Sequence, residues 1–162
     1  MKKLTHLDAE GRARMVDVGG KPQTARRAVA SARVALRPET LMALRHGALP
    51  KGDALTVARL AGIQGAKLTS QLIPLCHPLA LDHVSVDATP EEDGIRIRTE
   101  ARTRGATGVE MEALTAASVA ALAVIDMVKA LDRTAAVEWV RLELKEGGKS
   151  GRWVRDGYEE PA

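Results

Sequence analysis

Apolar positions along the chain recur at two spacings, and the switches between them divide it into elements. From Ala28 to Leu36 the run AVASARVAL carries β-branched residues in partial alternation and stops before Pro38, which suits the first turn of a helix. A strand is therefore expected, then a helix over PETLMALRH that ends at Gly47, a residue that tolerates the left-handed C-terminal position. Lys51-Gly52-Asp53 opens a second helical pattern, DALTVARLAGIQGAKLTSQLI, with Leu55, Ala58, Ile63 and Ala66 along one face. Gly62 and Gly65 weaken it by up to ~1 kcal/mol each relative to Ala, unless they mark a close approach to a neighbour. LDHVSVDAT and IRIRTEART alternate on either side of the turn EEDG and read as a hairpin. Val109 to Leu131 is the longest helical pattern, rich in Ala, Leu and Met, and Thr107-x-x-Glu110 fits a capping box at its start. AVEWVRLEL alternates as a last strand and runs into the Gly-rich basic stretch KEGGKSGR.

The order strand, helix pair, strand, strand, helix, strand is the split βαβ pattern. The expected class is α+β and ferredoxin-like, an antiparallel sheet with helices packed on one face. No internal repeat or low-complexity linker divides the chain, so residues 1–162 read as one domain. Residues 1–21 are expected as a mobile or docking arm and 152–162 as a mobile tail.

One stretch fits neither spacing. In KLTSQLIPLCHPLAL, from Lys67 to Leu81, Pro74 and Pro78 fix two backbone angles and remove two amide donors, so no regular element continues through them. Leu75, Cys76 and His77 then occupy a stiff loop. A thiol and an imidazole held side by side between two prolines form a candidate site.

Composition changes this picture little. The 162 residues are 45% hydrophobic and 28% charged, enough to fold around a core, but only 2% aromatic, so that core is built from aliphatic side chains. A net charge of +3 does not imply a nucleic-acid coat, although Lys and Arg clustered locally can hold anions. The single cysteine excludes an internal disulfide and suits a reducing compartment. The first residues lack the apolar core of a signal peptide. The run Ala113 to Ile125, broken by Thr115 and Ser118, falls short of a membrane span. The expectation is a cytoplasmic protein.

Several residues can carry chemistry, each beside an ordinary reading. Asp126 and Lys129 are neighbours on one helix face, and Asp132 follows Lys129 at the same spacing. A surface ion pair is the ordinary reading. The apolar turn before Asp126 argues for more, since a Lys partly desolvated there would have a lowered pKa and could exchange protons. Glu110 and Glu112 flank Met111 at the helix start. Capping accounts for Glu110 and not for Glu112. A lone Cys is more often a small hydrophobe than a nucleophile, so the loop's chemistry is assigned to His77 rather than Cys76. His6, His46 and His83 stand apart, and no metal site is expected. The stretch GGKSG is not a phosphate loop, because the first glycine of that pattern falls at Glu143 and no helix follows. Lys145 and Lys149 can still cradle phosphates with Arg26, Arg27, Lys51 and Lys67, where a solvated basic face is the competing reading.

Taken together, KGD at Lys51, AGIQGAK, LIPLCHPL, TGVEMEALTAASVAAL, IDMVKALD and GGKSG resemble, in this order, the cyclic pyranopterin monophosphate synthases, the MoaC-type enzymes of molybdenum cofactor biosynthesis. The resemblance covers Leu4 to Gly151. It implies a ferredoxin-like domain assembled as a homohexamer, a trimer of dimers. It also implies conversion of 3′,8-cyclo-7,8-dihydroguanosine 5′-triphosphate to cyclic pyranopterin monophosphate with release of pyrophosphate, a sequence of proton transfers, ring formation and attack on the innermost phosphate that needs no redox step and no cofactor. Asp126 and Lys129 match the family's catalytic pair, and Lys51 and His77 its other acid–base or substrate-holding groups. Leu75, Cys76, His77, Met111, Glu112 and Glu110 match substrate contacts, while Arg26, Lys67, Lys145 and Lys149 are assigned to the triphosphate. The competing class is a ferredoxin-like small-molecule-binding regulatory domain. An RNA-binding version would stack bases on sheet aromatics, and the strands offer only Trp139. A site shared between two subunits is expected, with Lys51 and Lys129 on opposite chains.

Overall fold

A computed structural model describes residues 7, 8 and 10–161 of the chain. Residues 1–6 of the expected arm, with His6 among them, Ala9 and Ala162 lie outside the described residues. The elements run β1 (Thr24–Ala35), α1 (Pro38–Arg45), α2 (Ala54–Lys67), α3 (Thr69–Leu72), β2 (His83–Pro90), β3 (Gly94–Gly105), α4 (Glu110–Val128), β4 (Ala136–Glu146) and β5 (Trp153–Val154). The strands form one antiparallel sheet in the order β2-β3-β1-β4-β5, which agrees with the expected α+β, ferredoxin-like class and adds a short edge strand to the four strands expected.

Period-two alternation sorts each strand between the two faces of the sheet. Ala28, Ala30, Ala32 and Val34 of β1, with Ile95, Ile97 and Ala101 of β3, join the core under α2 and α4. The opposite face carries no helix. There Arg27 and Arg33 of β1, Arg98, Glu100 and Arg102 of β3, and Arg141 of β4 interlock in ion pairs.

α4 is long and apolar enough to cross a membrane by length and composition, more so than the run Ala113–Ile125 suggests. Its apolar surface goes instead into the core, where Ala113, Ala116, Ala117, Ala120, Ala121, Val124 and Val128 are sealed against the sheet and α2. The two glycines of α2 sit at that seam. A Cβ on Gly62 would lie 3.0 Å from the Ala116 carbonyl oxygen and 3.2 Å from the Ala120 Cβ, and one on Gly65 would lie 2.9 Å from Val119. Close approach is therefore what these glycines provide.

Two local expectations are corrected. The helical pattern from Asp53 to Ile73 is not one helix, because it breaks at Leu68, which caps α2 and begins the one-turn α3. Thr107-x-x-Glu110 is not a capping box: α4 begins at Glu110 behind Val109, with no side chain capping it. The box needs its carboxylate at the third helical position, whereas Glu110 is at the first and folds back over Gly108, where a Cβ would collide with its carboxyl oxygens.

Replacing Gly62 by Val is expected to cost about 1–3 kcal/mol of stability through overpacking, because one obstacle is backbone that cannot rotate away. A thermal or denaturant melt as stable as the parent's would contradict the packing argument.

Candidate active site

Asp126 lies in the last turn of α4 and gathers two lysines. Its Oδ1 accepts from Lys129 Nζ at 2.7 Å and its Oδ2 from Lys51 Nζ at 2.8 Å, and Lys51 also donates to the Asp126 carbonyl oxygen at 2.9 Å. Lys51 reaches the cluster because the turn before α2 is held by Asp53, whose carboxylate caps the Leu55 and Thr56 amides. Lys129, followed by Lys51, holds the Asp126 carboxyl down at about 2, so it is ionised throughout the neutral range. Within the one chain described, Lys51 and Lys129 meet on the same Asp126 and form a triad, whereas opposite chains were expected to supply them. Nor is Lys129 desolvated, since its side chain is 59% exposed. Asp132, expected beside Lys129, is instead fully buried and accepts from the Arg37 amide at 2.8 Å and from Thr134, which anchors the start of α1.

The other end of α4 meets the proline-bounded loop. Leu75, Cys76 and His77 line a cavity of 370 Å³ with Glu110, Met111, Glu112, Thr107 and Gly108. The arm forms its far wall through Val16, Val18 and Lys21, and His77 Nε2 lies 2.7 Å from the Val16 carbonyl oxygen. Glu112 is only 4% exposed. Burial lifts its carboxyl to about 7, its own amide opposing and the Glu110 charge adding. Burial, then the Glu112 charge, also pushes the Cys76 thiol upward, which disfavours a thiolate and agrees with reading it as a packing residue.

Lys21, Thr107, Gly108 and Glu110 also line an adjoining cavity of 640 Å³ with Arg26, Lys145, Gly147, Gly148, Lys149 and Ser150. Arg26 is aimed by the Gly105 and Ala106 carbonyls, at 3.3 and 3.4 Å. Gly147 and Gly148 both have positive φ, and a Cβ on either would strike the Ala25 carbonyl or the Arg26 guanidinium, so only glycine lets this hairpin close over Arg26. A concave wall that gathers Lys21, Arg26, Lys145 and Lys149, with Glu110 and Glu146 also on it, is suited to phosphates. Lys67 is not part of it and lines a separate recess of 380 Å³ with Leu79, Asp82 and His83.

The structure thus gathers the predicted residues into two groups. Leu75, Cys76, His77, Glu110, Met111 and Glu112 adjoin the Arg26, Lys145 and Lys149 cavity. Lys51, Asp126 and Lys129 stand apart, since Glu112 and Asp126 are fourteen positions apart on α4, about 21 Å along its axis at ~1.5 Å per residue. Among the described residues, no three His, Cys, Asp or Glu side chains converge as metal ligands. Sequence reasoning missed Lys21 and Val16. The charge of Lys21 beside β1 was a usable signal, whereas Val16 acts through a backbone carbonyl that no residue type announces.

The model of the MoaC family matches residues 15–148. The chain belongs to that family. It is 57% identical over 155 residues to the cyclic pyranopterin monophosphate synthase of Chloroflexus aurantiacus, covering 94% of this chain and 95% of the relative. Proteins of the same name from Streptomyces coelicolor and Roseiflexus sp. (strain RS-1) are 57% and 56% identical, over 94% and 96% of this chain and 90% and 100% of their own. In this MoaC-family chain the match spans both ends of α4, while Lys149 falls just beyond it.

The buried carboxyl gives a pH test with a definite sign. A carboxyl whose folded pKa of about 7 lies above its unfolded value binds its proton more tightly when folded, so it favours the fold at low pH and loses that contribution as pH rises through 7. Glu112→Gln, which does not titrate, should match the parent near pH 4 and exceed it at pH 8 by on the order of 3 kcal/mol. A stability difference that is flat from pH 4 to 8 would show that Glu112 is not held in a desolvated site.

Proposed function

We propose that this chain is a cyclic pyranopterin monophosphate synthase, a lyase of molybdenum cofactor biosynthesis that takes 3′,8-cyclo-7,8-dihydroguanosine 5′-triphosphate to cyclic pyranopterin monophosphate and pyrophosphate. The observation that carries it is similarity, over nearly the whole chain, to relatives named for that activity. The alternative of a small-molecule-binding regulatory domain is not favoured by any of those names.

The geometry supports a division of labour. The carboxyl of Glu112, balanced near neutrality, and the imidazole of His77 are suited to exchanging protons with a purine-derived ring in the 370 Å³ cavity. Arg26, Lys145 and Lys149 in the adjoining cavity are suited to the triphosphate. Asp126 is too acidic to deliver a proton at neutral pH, so its part is to hold the Lys51 and Lys129 side chains aligned through its two carboxylate oxygens. Lys67 joins the triphosphate only if a second chain brings its recess close.

A second chain is part of the proposal, as a homohexamer built as a trimer of dimers. One centre that uses both His77 and Lys129 cannot come from a single chain whose α4 holds them at opposite ends. A two-fold axis across the helix layer sets one chain's N-terminal end of α4 against its partner's C-terminal end. Val57 and Leu60 of α2 and Leu122 of α4 leave apolar surface exposed there.

With enzymatically prepared cyclic substrate and mass analysis of products, Lys129→Ala and Asp126→Ala should each lower turnover by about 10²–10⁴-fold while keeping the fold. Near-normal rates in either would remove the triad from the reaction.

Subunit mixing tests the shared centre. His77→Ala and Lys129→Ala chains, inactive alone, should regain activity when dissociated and reassembled together, up to roughly a quarter of all sites under random pairing. Lys51→Ala with Lys129→Ala should not, because both lesions fall in one triad. Verified mixed assemblies of the first pair that stay inactive would place His77 and Lys129 in separate functions.

A further inference from the structure

We infer that the C-terminal segment Arg152–Pro161 is a strap that positions the glycine-rich hairpin for phosphate binding. The inference rests on the reading of Lys145 and Lys149 as triphosphate ligands. The segment lies beyond the residues matched by the family model, and neither end of α4 needs it.

β5 contributes two residues, Trp153 and Val154, paired with Lys145 and Leu144. That alone is a weak closure for a hairpin whose Gly147, Gly148 and Gly151 all adopt positive φ, because glycine loses the most conformational freedom on being ordered. The chain beyond β5 supplies the rest. The Arg155 amide continues the pairing to the Glu143 carbonyl at 2.8 Å, and its guanidinium donates to the Leu142 carbonyl at 2.7 Å. The segment then crosses the helix-free face: the Tyr158 hydroxyl meets Arg98 at 3.3 Å, Glu160 pairs with Arg27 and lies 3.7 Å from Arg98, and Pro161 reaches the recess lined by Asp87 and Thr89 of β2. It spans the sheet from the β5 edge to the opposite edge.

Two features tie this path to the hairpin. Val29 and Leu144 are register partners on the helix-free face and are fully buried, although no helix covers them. Val154, at the start of the strap, is the register partner of Leu144, so the segment begins directly beside this buried pair. Arg27, which Glu160 holds on β1, also binds Glu146 at 3.3 Å, and Arg152 binds the same Glu146 at 2.9 Å. Glu146 is the last residue of β4, directly before Gly147. The strap therefore fixes both feet of the hairpin that carries Lys149 and Ser150 into the 640 Å³ cavity. Loosened, the hairpin would have to be ordered at the expense of binding, while the groups at the ends of α4 stay in place. That raises KM and leaves kcat.

The test compares the full chain with one ending at Asp156, and with the milder double variant Tyr158→Phe/Glu160→Gln in case the truncation does not fold. Amide hydrogen exchange of 145–151, kcat, KM and pyrophosphate affinity by calorimetry are measured on each. Faster exchange in the hairpin, with KM and the pyrophosphate dissociation constant raised about three- to tenfold and kcat within twofold, is expected. Unchanged exchange and KM, or a fall in kcat alone, would overturn the strap. Lys149→Ala in the full chain separates the two layers: if it leaves KM and pyrophosphate affinity unchanged, the phosphate reading of the hairpin fails, whatever the truncation shows.

Discussion

The architecture depends on how closely α2 can approach α4. Gly62 and Gly65 remove the side chains that would hold the helices apart, and α4 answers with alanines, so the two lie almost backbone to backbone over the sheet. They run antiparallel: Gly62 faces Ala116 and Ala120, and Gly65 faces Thr115 and Val119. Each end of α4 therefore receives one end of α2 and the loop attached to it. Lys51, just before the Asp53 cap, arrives at Asp126. The Leu75-Cys76-His77 loop, just after α3, arrives at Glu112. A wider seam would move both clusters together.

The helix-free face solves a different problem. Arg96, Arg98, Arg102 and Arg104 make the outward row of β3 charged rather than apolar, and Glu100, the remaining position of that row, is almost fully buried. Exposed ion pairs contribute little each. A buried carboxylate must be paired, though, and removing one of its partners costs far more than the pair contributes. Glu100 draws on Arg27, Arg98 and Arg102 at once. The aliphatic stems of those arginines can also cover apolar neighbours such as Val29 while their charged ends stay paired.

The fold was legible because its cues are periodic. Alternation in IRIRTEART and AVEWVRLEL, Pro38 at a helix start and the alanine pattern of α4 each depend on side chains a few residues apart. The alternative reading of Gly62 and Gly65 as a close approach was available for the same reason. What failed was local detail settled by distant partners. Spacing put Asp132 beside Lys129, but the Arg37 amide and Thr134 claim it. Spacing put Glu110 in a capping box, but the helix starts later. Residue types identified the site groups, while their division between two ends of one helix follows from the length of α4, which no motif states. The arm was expected to be mobile or to dock, but its contact with His77 is made by the Val16 carbonyl, which no side chain announces.

The two carboxyls on α4 show which electrostatic effect dominates. A helix favours negative charge at its N-terminus and disfavours it at its C-terminus, typically by 0.3–1 kcal/mol. On that ground alone Glu112, in the first turn, should be the stronger acid and Asp126, in the last, the weaker. The structure reverses the order: Glu112 is lifted to about 7 and Asp126 lowered to about 2. For Glu112, loss of water outweighs the helix field, since a rise of that size corresponds to roughly 3 kcal/mol. For Asp126, two ammonium groups at hydrogen-bond distance do the same with the opposite sign. One helix thus carries a carboxyl that can trade its proton near neutral pH and another that cannot, and what separates them is the neighbourhood each end was folded into.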